Sequence, residues 1–196
     1  MASPHPDRAD IVVVGGGLIG CSVAFELVSR GLQAIVIEPE LSAGPASWAG
    51  AGMLSPVGEL AEHEDFLALA RASLAAYPAF VERITDITGR PFEFGISGKI
   101  EVAFHEPGTK RLEAMVGQAG VRTLSVAEAH ALEPAVSRDI VAAIHFPDDA
   151  LVDNRALRYA LQDAAQRRGA QFMHAPVLAL LTRQGEVTGV QCPSGT

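Results

Sequence analysis

The sequence predicts an α/β protein that opens with a βαβ unit, carries an inserted α+β segment and then returns to a helix and strands. Three observations predict it. Ile11-Val-Val-Val14 is a β-branched run without polar alternation, the pattern of a strand buried on both faces of a parallel sheet, and glycines follow it at once. Residues 18–30 read as a helix, because Ile19, Val23 and Leu27 recur at every fourth position and Gly31 is placed as the C-terminal stop. Ala34-Ile-Val-Ile37 reads as a second buried strand, which completes the unit.

Beyond the unit, residues 42–58 are rich in Gly, Ala, Ser and Pro without a period, so they read as a long loop, and loops of that length tend to be functional. From 65 to 89, Phe66, Ala70, Leu74, Tyr77, Val81 and Ile84 keep a helical period that Pro78 is expected to kink or split. Residues 99–104 alternate as a strand and 109–118 read as a helix. Ser125 followed by Glu128 is a capping-box signature for a short helix that Pro134 closes, and 140–146 read as a strand. Asp153 is placed to cap a helix through Arg168 on which Leu157, Leu161 and Ala165 share a face, with Gly169 as its end. Strands over 171–174, 177–181 and 187–191 follow, the last two joined as a hairpin across Gln184-Gly185-Glu186. The expected organisation is a discontinuous first domain, 1–89 with 148–196, into which an α+β domain, 90–147, is inserted.

With 196 residues, 48% of them hydrophobic, the chain can bury a substantial core. A net charge of -8 and a pI near 5.2 leave no global positive field, so nucleic acid is not an expected partner. Cys21 and Cys192 have no metal-type or CxxC spacing, which fits a reducing compartment and packing roles for both. The first ten residues lack the apolar core of a secretory signal, and no uncharged apolar stretch approaches the ~18 residues of a membrane span, so a cytoplasmic location is expected. His130 and Glu133 lie one helical turn apart without a second pair, and no metal is expected. His145, Asp148 and Asp149 fall in a strand-end turn; Ser22, Ser47 and Ser55 lack a nucleophile elbow; the Arg167-Arg168 pair complements a helix dipole. Catalytic residues stay unassigned.

Gly15-Gly16-Gly17-Leu18-Ile19-Gly20 contains GxGxxG, a weak signal alone. Here it lies between a strand and a helix, Ala24 and Gly31 sit where close helix packing needs small residues, and Glu38 ends the second strand, followed by Pro39. Gly15 allows the tight turn, Gly17 lets main chain approach a diphosphate, and Gly20 permits close contact between helix and strand. The helix N-terminus presents N–H groups and partial positive charge to phosphates, while the Glu38 carboxylate suits ribose hydroxyls and repels a 2'-phosphate. From the βαβ unit alone the cofactor could be NAD or FAD.

The following segment, Ala46-Ser-Trp-Ala-Gly-Ala-Gly-Met-Leu-Ser-Pro56, resembles the small-residue run after the ribose-binding acid in D-amino-acid-oxidase-like flavoenzymes, and within them the glycine oxidases. The resemblance continues through Ile96-Ser-Gly-Lys-Ile-Glu-Val-Ala-Phe104, Leu132-Glu-Pro134, Pro147-Asp-Asp-Ala-Leu-Val-Asp153 and Ala175-Pro-Val-Leu178. It implies a Rossmann-like domain that binds FAD, with Ala46, Ser47, Ala51, Gly52 and Met53 against the flavin and diphosphate, and the Val177 backbone at the adenine. It further implies oxidation of glycine or a similar small amine to an imine, hydride transfer to flavin, reoxidation by dioxygen to peroxide, and a place in thiamine biosynthesis. The alternatives are a sarcosine oxidase or D-amino-acid dehydrogenase of the same fold, and a non-catalytic FAD-binding fragment. Trp48 departs from the family, which has a small residue there. The family's chains also continue well past Thr196, and their carboxylate-binding Arg, active-site Tyr and second Gly-rich strand belong to that portion. The chain is therefore expected to be an N-terminal half, with exposed apolar surface that favours association or a homo-oligomer.

Overall fold

Strands β1 (Ile11–Val14) and β2 (Ala34–Glu38) pair in parallel, from Ile11 opposite Ala34 to Val14 opposite Ile37, and helix α1 (Leu18–Ser29) connects them. The computed structural model describes residues 8–39, 45–57, 64–118 and 120–193. Residues 1–7 of the polar start of the chain and residues 42–44 and 58 of the expected long loop lie outside the described residues. Two compact units divide the chain: the first holds Met1–Ala51, Phe80–Phe92 and Asp153–Thr196, the second Gly52–Ala79 and Glu93–Val152. These bounds differ from the expected ones, which grouped 52–79 and 148–152 with the first domain and 90–92 with the inserted one.

In the first unit β9 (Gln171–His174) lies beside β2, so the parallel sheet runs β1-β2-β9. β2 is central, and Ala34 to Ile37 are all buried. β1 is an edge strand among the described residues, so it is half-buried rather than buried on both faces, and Val14 is 55% exposed. Helix α6 (Asn154–Arg167) packs against α1. Asp153 caps α6 by accepting from Arg155 N and Ala156 N at 3.0 and 2.9 Å, which satisfies N–H groups that have no acceptor within the helix. β10 (Ala179–Arg183) and β11 (Glu186–Gln191) form the expected hairpin, turning at Gln184 and Gly185.

The four-residue spacing that marks α1 as a helix in the sequence does not mark the face it buries. Ile19 is 76% and Val23 44% exposed, whereas Cys21, Ala24, Phe25 and Val28 are buried. The helix is apolar almost all round, so a four-residue spacing does not single out one face; the side with Gly20, Cys21 and Ala24 is the one slim enough for close packing.

The strands of the second unit are β3 (Met53–Leu54), β4 (Phe94–Ile96), β5 (Lys99–Ala103), β6 (Arg122–Leu124), β7 (Ala142–Phe146) and β8 (Ala150–Val152). They form two antiparallel sheets, β3-β8-β4 and β5-β7-β6. One core gathers Val57, Ala103, Leu112, Met115, Ile144 and Phe146, and another Leu124, Ala129, Ile140 and Ala143. Strands β3, β4, β6 and β8 are two or three residues long, too short for alternation to register in the sequence. Helix α4 (Glu106–Glu113) begins three residues before its expected start because His105 caps it, Nδ1 accepting from Gly108 N at 3.4 Å. Helix α5 (Val126–Leu132) carries the full capping box: Ser125 Oγ accepts from Glu128 N, and Glu128 Oε2 accepts from Ser125 N at 2.8 Å.

Helix α3 runs unbroken as Glu64–Thr88, so Pro78 does not split it; the proline removes one N–H, and the change of unit falls just after it, between Ala79 and Phe80. No helix among the described residues is long and apolar enough to cross a membrane.

Candidate dinucleotide-binding site

The parallel strands β1 and β2 end together, and the loop that follows β1 folds over the end of β2. Gly15 N donates to Ile37 O at 2.8 Å, extending the ladder by one step before the chain turns. The turn needs Gly15 at φ +101, a conformation that side chains rarely adopt. A Cβ there would meet nothing within 4 Å, so the outer side of the loop is open. Gly20 serves a different need: a Cβ on it would overlap the Gly15 carbonyl oxygen, and only a glycine lets α1 start this close to the turn.

Glu38 is tied to the loop itself. Its Oε2 accepts from Gly16 N at 2.7 Å, and a Cβ on Gly16 would stand 3.1 Å from the Glu38 Cβ. Sequence reasoning assigned no role to Gly16 beyond membership of the run, yet contact with the carboxylate requires a small residue. Gly17 is the N-cap of α1, extended and without a side-chain cap of its own. The cap comes from elsewhere: Ser47 Oγ accepts from Leu18 N at 2.9 Å.

Ser47 stands on α2 (Pro45–Ala49), a short helix within the segment expected to be all loop. Its C-terminal carbonyls, which have no acceptor role within so short a helix, take hydrogen bonds from α6. Asn154 Nδ2 donates to Ser47 O at 2.7 Å and to Gly50 O at 2.8 Å; Arg155 Nε donates to Trp48 O at 3.0 Å, with its guanidinium 4.1 Å over the Trp48 ring. The N-terminus of α6 therefore sets the position of Ser47, and Ser47 in turn caps α1.

Below the loop, the Gly16 carbonyl accepts two hydrogen bonds, from Cys21 Sγ at 3.2 Å and from Arg158 Nε at 3.0 Å. Burial pushes the Cys21 thiol up to about 11, with Arg158 opposing the rise and Glu38 adding to it. The thiol is thus a neutral donor at physiological pH. Sequence reasoning treated Cys21 as packing only and passed over Arg158. A signal for Arg158 existed: it lies on the same helical stripe as Leu157, Leu161 and Ala165, a charged residue where the period calls for an apolar one.

Of the other expected site residues, Ile19 is exposed on the first turn of α1, and Pro39 is exposed immediately after Glu38. Ala46 and Ala51 are exposed in the first unit. Val177 is half-buried after β9, packed against the cluster of Ile35, Ile37 and Ala175, and β9 sets His174 opposite Glu38. Gly52 and Met53 fall in the second unit, where Gly52 O accepts from Val152 N at 3.0 Å and Met53 pairs with Leu151.

Among the described residues no three His, Cys, Asp or Glu side chains converge as a metal site. The His145-Asp148-Asp149 turn has a structural explanation in part. Lys99 Nζ lies 3.4 Å from Asp149 Oδ2, an ion pair without hydrogen-bond geometry, and also pairs with Glu101 at 2.9 Å, donates to Ser55 Oγ at 2.5 Å and sits 4.0 Å over the Phe146 ring.

Known proteins share this arrangement of elements. The chain is 33% identical over 190 residues to the glycine oxidase of Bacillus licheniformis, covering 96% of this chain and 51% of that protein. It is 33% identical over 189 residues to the bifunctional protein ThiO/ThiG of Trichormus variabilis, covering 95% of this chain and 29% of that one. The crystal structure of glycine oxidase from Bacillus cereus superposes with a TM-score of 0.85 at 27% identity, over 96% of this chain and 54% of the other. The chain spans about half the length of these glycine oxidases and under a third of the bifunctional protein. The DAO family, described as FAD dependent oxidoreductase, matches residues 10–196. With that match running from the start of β1 through the hairpin, the chain belongs to the FAD-dependent oxidoreductase family.

Proposed function

We propose that the glycine loop, Glu38 and the segments around Ser47 and Val177 hold FAD, and that the protein oxidises glycine or a similar small primary or secondary amine to an imine. The observation that carries the reading is the meeting of Gly16, Glu38 and Ser47 at the start of α1. The fit to a dinucleotide follows from the loop's shape and donors. The side of Gly15 is open, and Ile19 and Gly20 stand in a first turn where N–H groups have no intrahelical acceptor. Glu38 is held at the strand end by Gly16 N, in reach of ribose hydroxyls and unfavourable to a 2'-phosphate. The main chain at Val177, on the same end of the sheet, serves the adenine, and Ala46 and Ala51 present small surface to the flavin.

When bound, FAD supplies the acceptor for a hydride from the α-carbon of the amine and passes the electrons on to dioxygen. This chain's share is binding and orientation: Ser47 fixes the start of α1, Asn154 and Arg155 fix Ser47, and Gly15 and Gly20 bring the helix end to the cofactor. The likeness to glycine oxidases and to a ThiO/ThiG protein supports a small amine as substrate and a role in thiamine biosynthesis.

The test is the visible spectrum of the purified chain after equilibration with FAD and removal of free cofactor, followed by peroxide release with glycine, sarcosine and D-amino acids. A retained flavin band supports the site, and peroxide from glycine above that from sarcosine and D-amino acids supports glycine as the substrate. No band overturns the site; a band without peroxide from any of the amines leaves FAD binding and overturns amine oxidation by this chain.

A further inference from the structure

Arg158 is fully buried in the middle of α6, with 0% exposure. A buried guanidinium is costly unless an anion or a full set of acceptors compensates it, and a methionine or leucine would fill the same space without that cost. Among the described residues Arg158 makes no ion pair. Its Nη1 and Nη2 have no hydrogen-bond partner, and its one hydrogen bond is from Nε to Gly16 O, with the Tyr159 ring 5.1 Å away. The residue it does hold, Gly16, lies in the glycine loop. Gly16 is pinned on both sides, its N–H by Glu38 and its carbonyl by Cys21 and Arg158.

A trans peptide sets its C=O and N–H antiparallel, so a Gly16 carbonyl drawn inward turns the Gly17 N–H outward, to the open side of the loop. A charged donor on the carbonyl also polarises that peptide and strengthens the N–H as a donor. We propose that Arg158 is a positioning residue for a diphosphate: it fixes the Gly16–Gly17 peptide with its N–H outward and sets behind the loop a cationic charge whose counter-anion is the diphosphate of the bound dinucleotide. The inference rests on the reading that FAD binds at this loop. It accounts for an arginine on a stripe otherwise made of Leu157, Ala160, Leu161, Ala164 and Ala165.

The experiment is calorimetric titration of FAD, ADP and adenosine into the wild-type chain, Arg158→Met and Arg158→Lys, with thermal melts of each. ADP carries the diphosphate and adenosine does not, so a role in diphosphate binding separates the two ligands whereas a merely structural role weakens both alike. Arg158→Met is expected to weaken FAD and ADP by about tenfold or more and to leave adenosine within about twofold, and Arg158→Lys to recover part of the ADP affinity. Equal losses for ADP and adenosine, or an unchanged ADP affinity, overturn the proposal while leaving the FAD site standing. Absence of FAD and ADP binding by the wild type overturns the site reading and this inference with it. If Arg158→Met does not fold, Arg158→Gln, neutral and still a donor, carries the same comparison.

Discussion

Gly16 occupies the variable position of the GxGxxG spacing, where the motif gives no reason for glycine, yet its Cα lies against the Glu38 side chain and both its polar groups are bonded. At the scale of residues, what could be read from the sequence were those whose job is conformational and local. Gly15 and Gly20 follow from the turn and from the close approach of α1. Ser47, Cys21 and Arg158 reach the loop from 29, 5 and 142 residues away; the apolar stripe of α6 marks Arg158 as out of place, but no local pattern names the loop as its partner. Cys21 gives the plainest test. Its thiol is buried and raised from 9.0 to about 11, so it should resist iodoacetamide in the folded protein and react once the chain is unfolded, as peptide mass spectrometry would show. The folded state holds this proton more tightly than the unfolded one. The associated stability is therefore complete below pH 9.0 and is lost as pH rises through about 11, by at most about 1.4 kcal/mol per pH unit. Alkylation of native Cys21 at the rate of an exposed thiol would contradict its burial below the loop.

At the scale of elements, legibility tracked length and punctuation. Helices α1, α5 and α6 carry terminal signals, Gly31 and Gly169 as stops, Ser125 and Asp153 as caps, and each lies where those signals put it. The buried face of α1 did not follow, because a helix apolar on every side hides its orientation until its neighbours are known. The short strands β3, β4, β6 and β8 likewise depend on partners distant in sequence. The capping box of α5 is open to a direct measurement. Ser125→Ala should lower the stability of the chain by about 1 kcal/mol in urea denaturation, and a neutral result would mean that the box is redundant with the packing of Ala129. The hydrogen bonds from Ser125 hold the Glu128 carboxyl below its usual range. That contribution is present above the ordinary glutamate value and fades as pH falls through the lowered one, so the stability difference between the wild-type chain and Ser125→Ala should narrow in acid.

At the scale of the whole molecule, the family and the α/β class were readable because the matching segments lie along nearly the entire chain. The division into units was less so: residues 52–79 join the second unit, through strand β3 and the packing of Val57, neither of which has a sequence signature. Apolar side chains remain outside both cores. Val14, Ile19 and Val23 are exposed in the first unit, where β1 also leaves one edge without a strand partner among the described residues. Surface of this kind, beside an open edge, favours association over a monomer even at a net charge of -8. The 20.5 kDa chain is expected to elute in size-exclusion chromatography as a larger species whose size grows with concentration. A single monomeric peak across a wide concentration range would show that these side chains are tolerated in water.

The chain has one tryptophan, and it is Trp48, stacked under Arg155 beside the serine that caps α1. The intrinsic fluorescence of this protein is therefore dominated by a single indole placed next to the loop, and any change in how that loop is held alters the environment of the residue that emits. A fluorophore supplied by the sequence itself thus reports on the glycine loop, and a bound isoalloxazine, which absorbs where indole emits, would announce its arrival by darkening it.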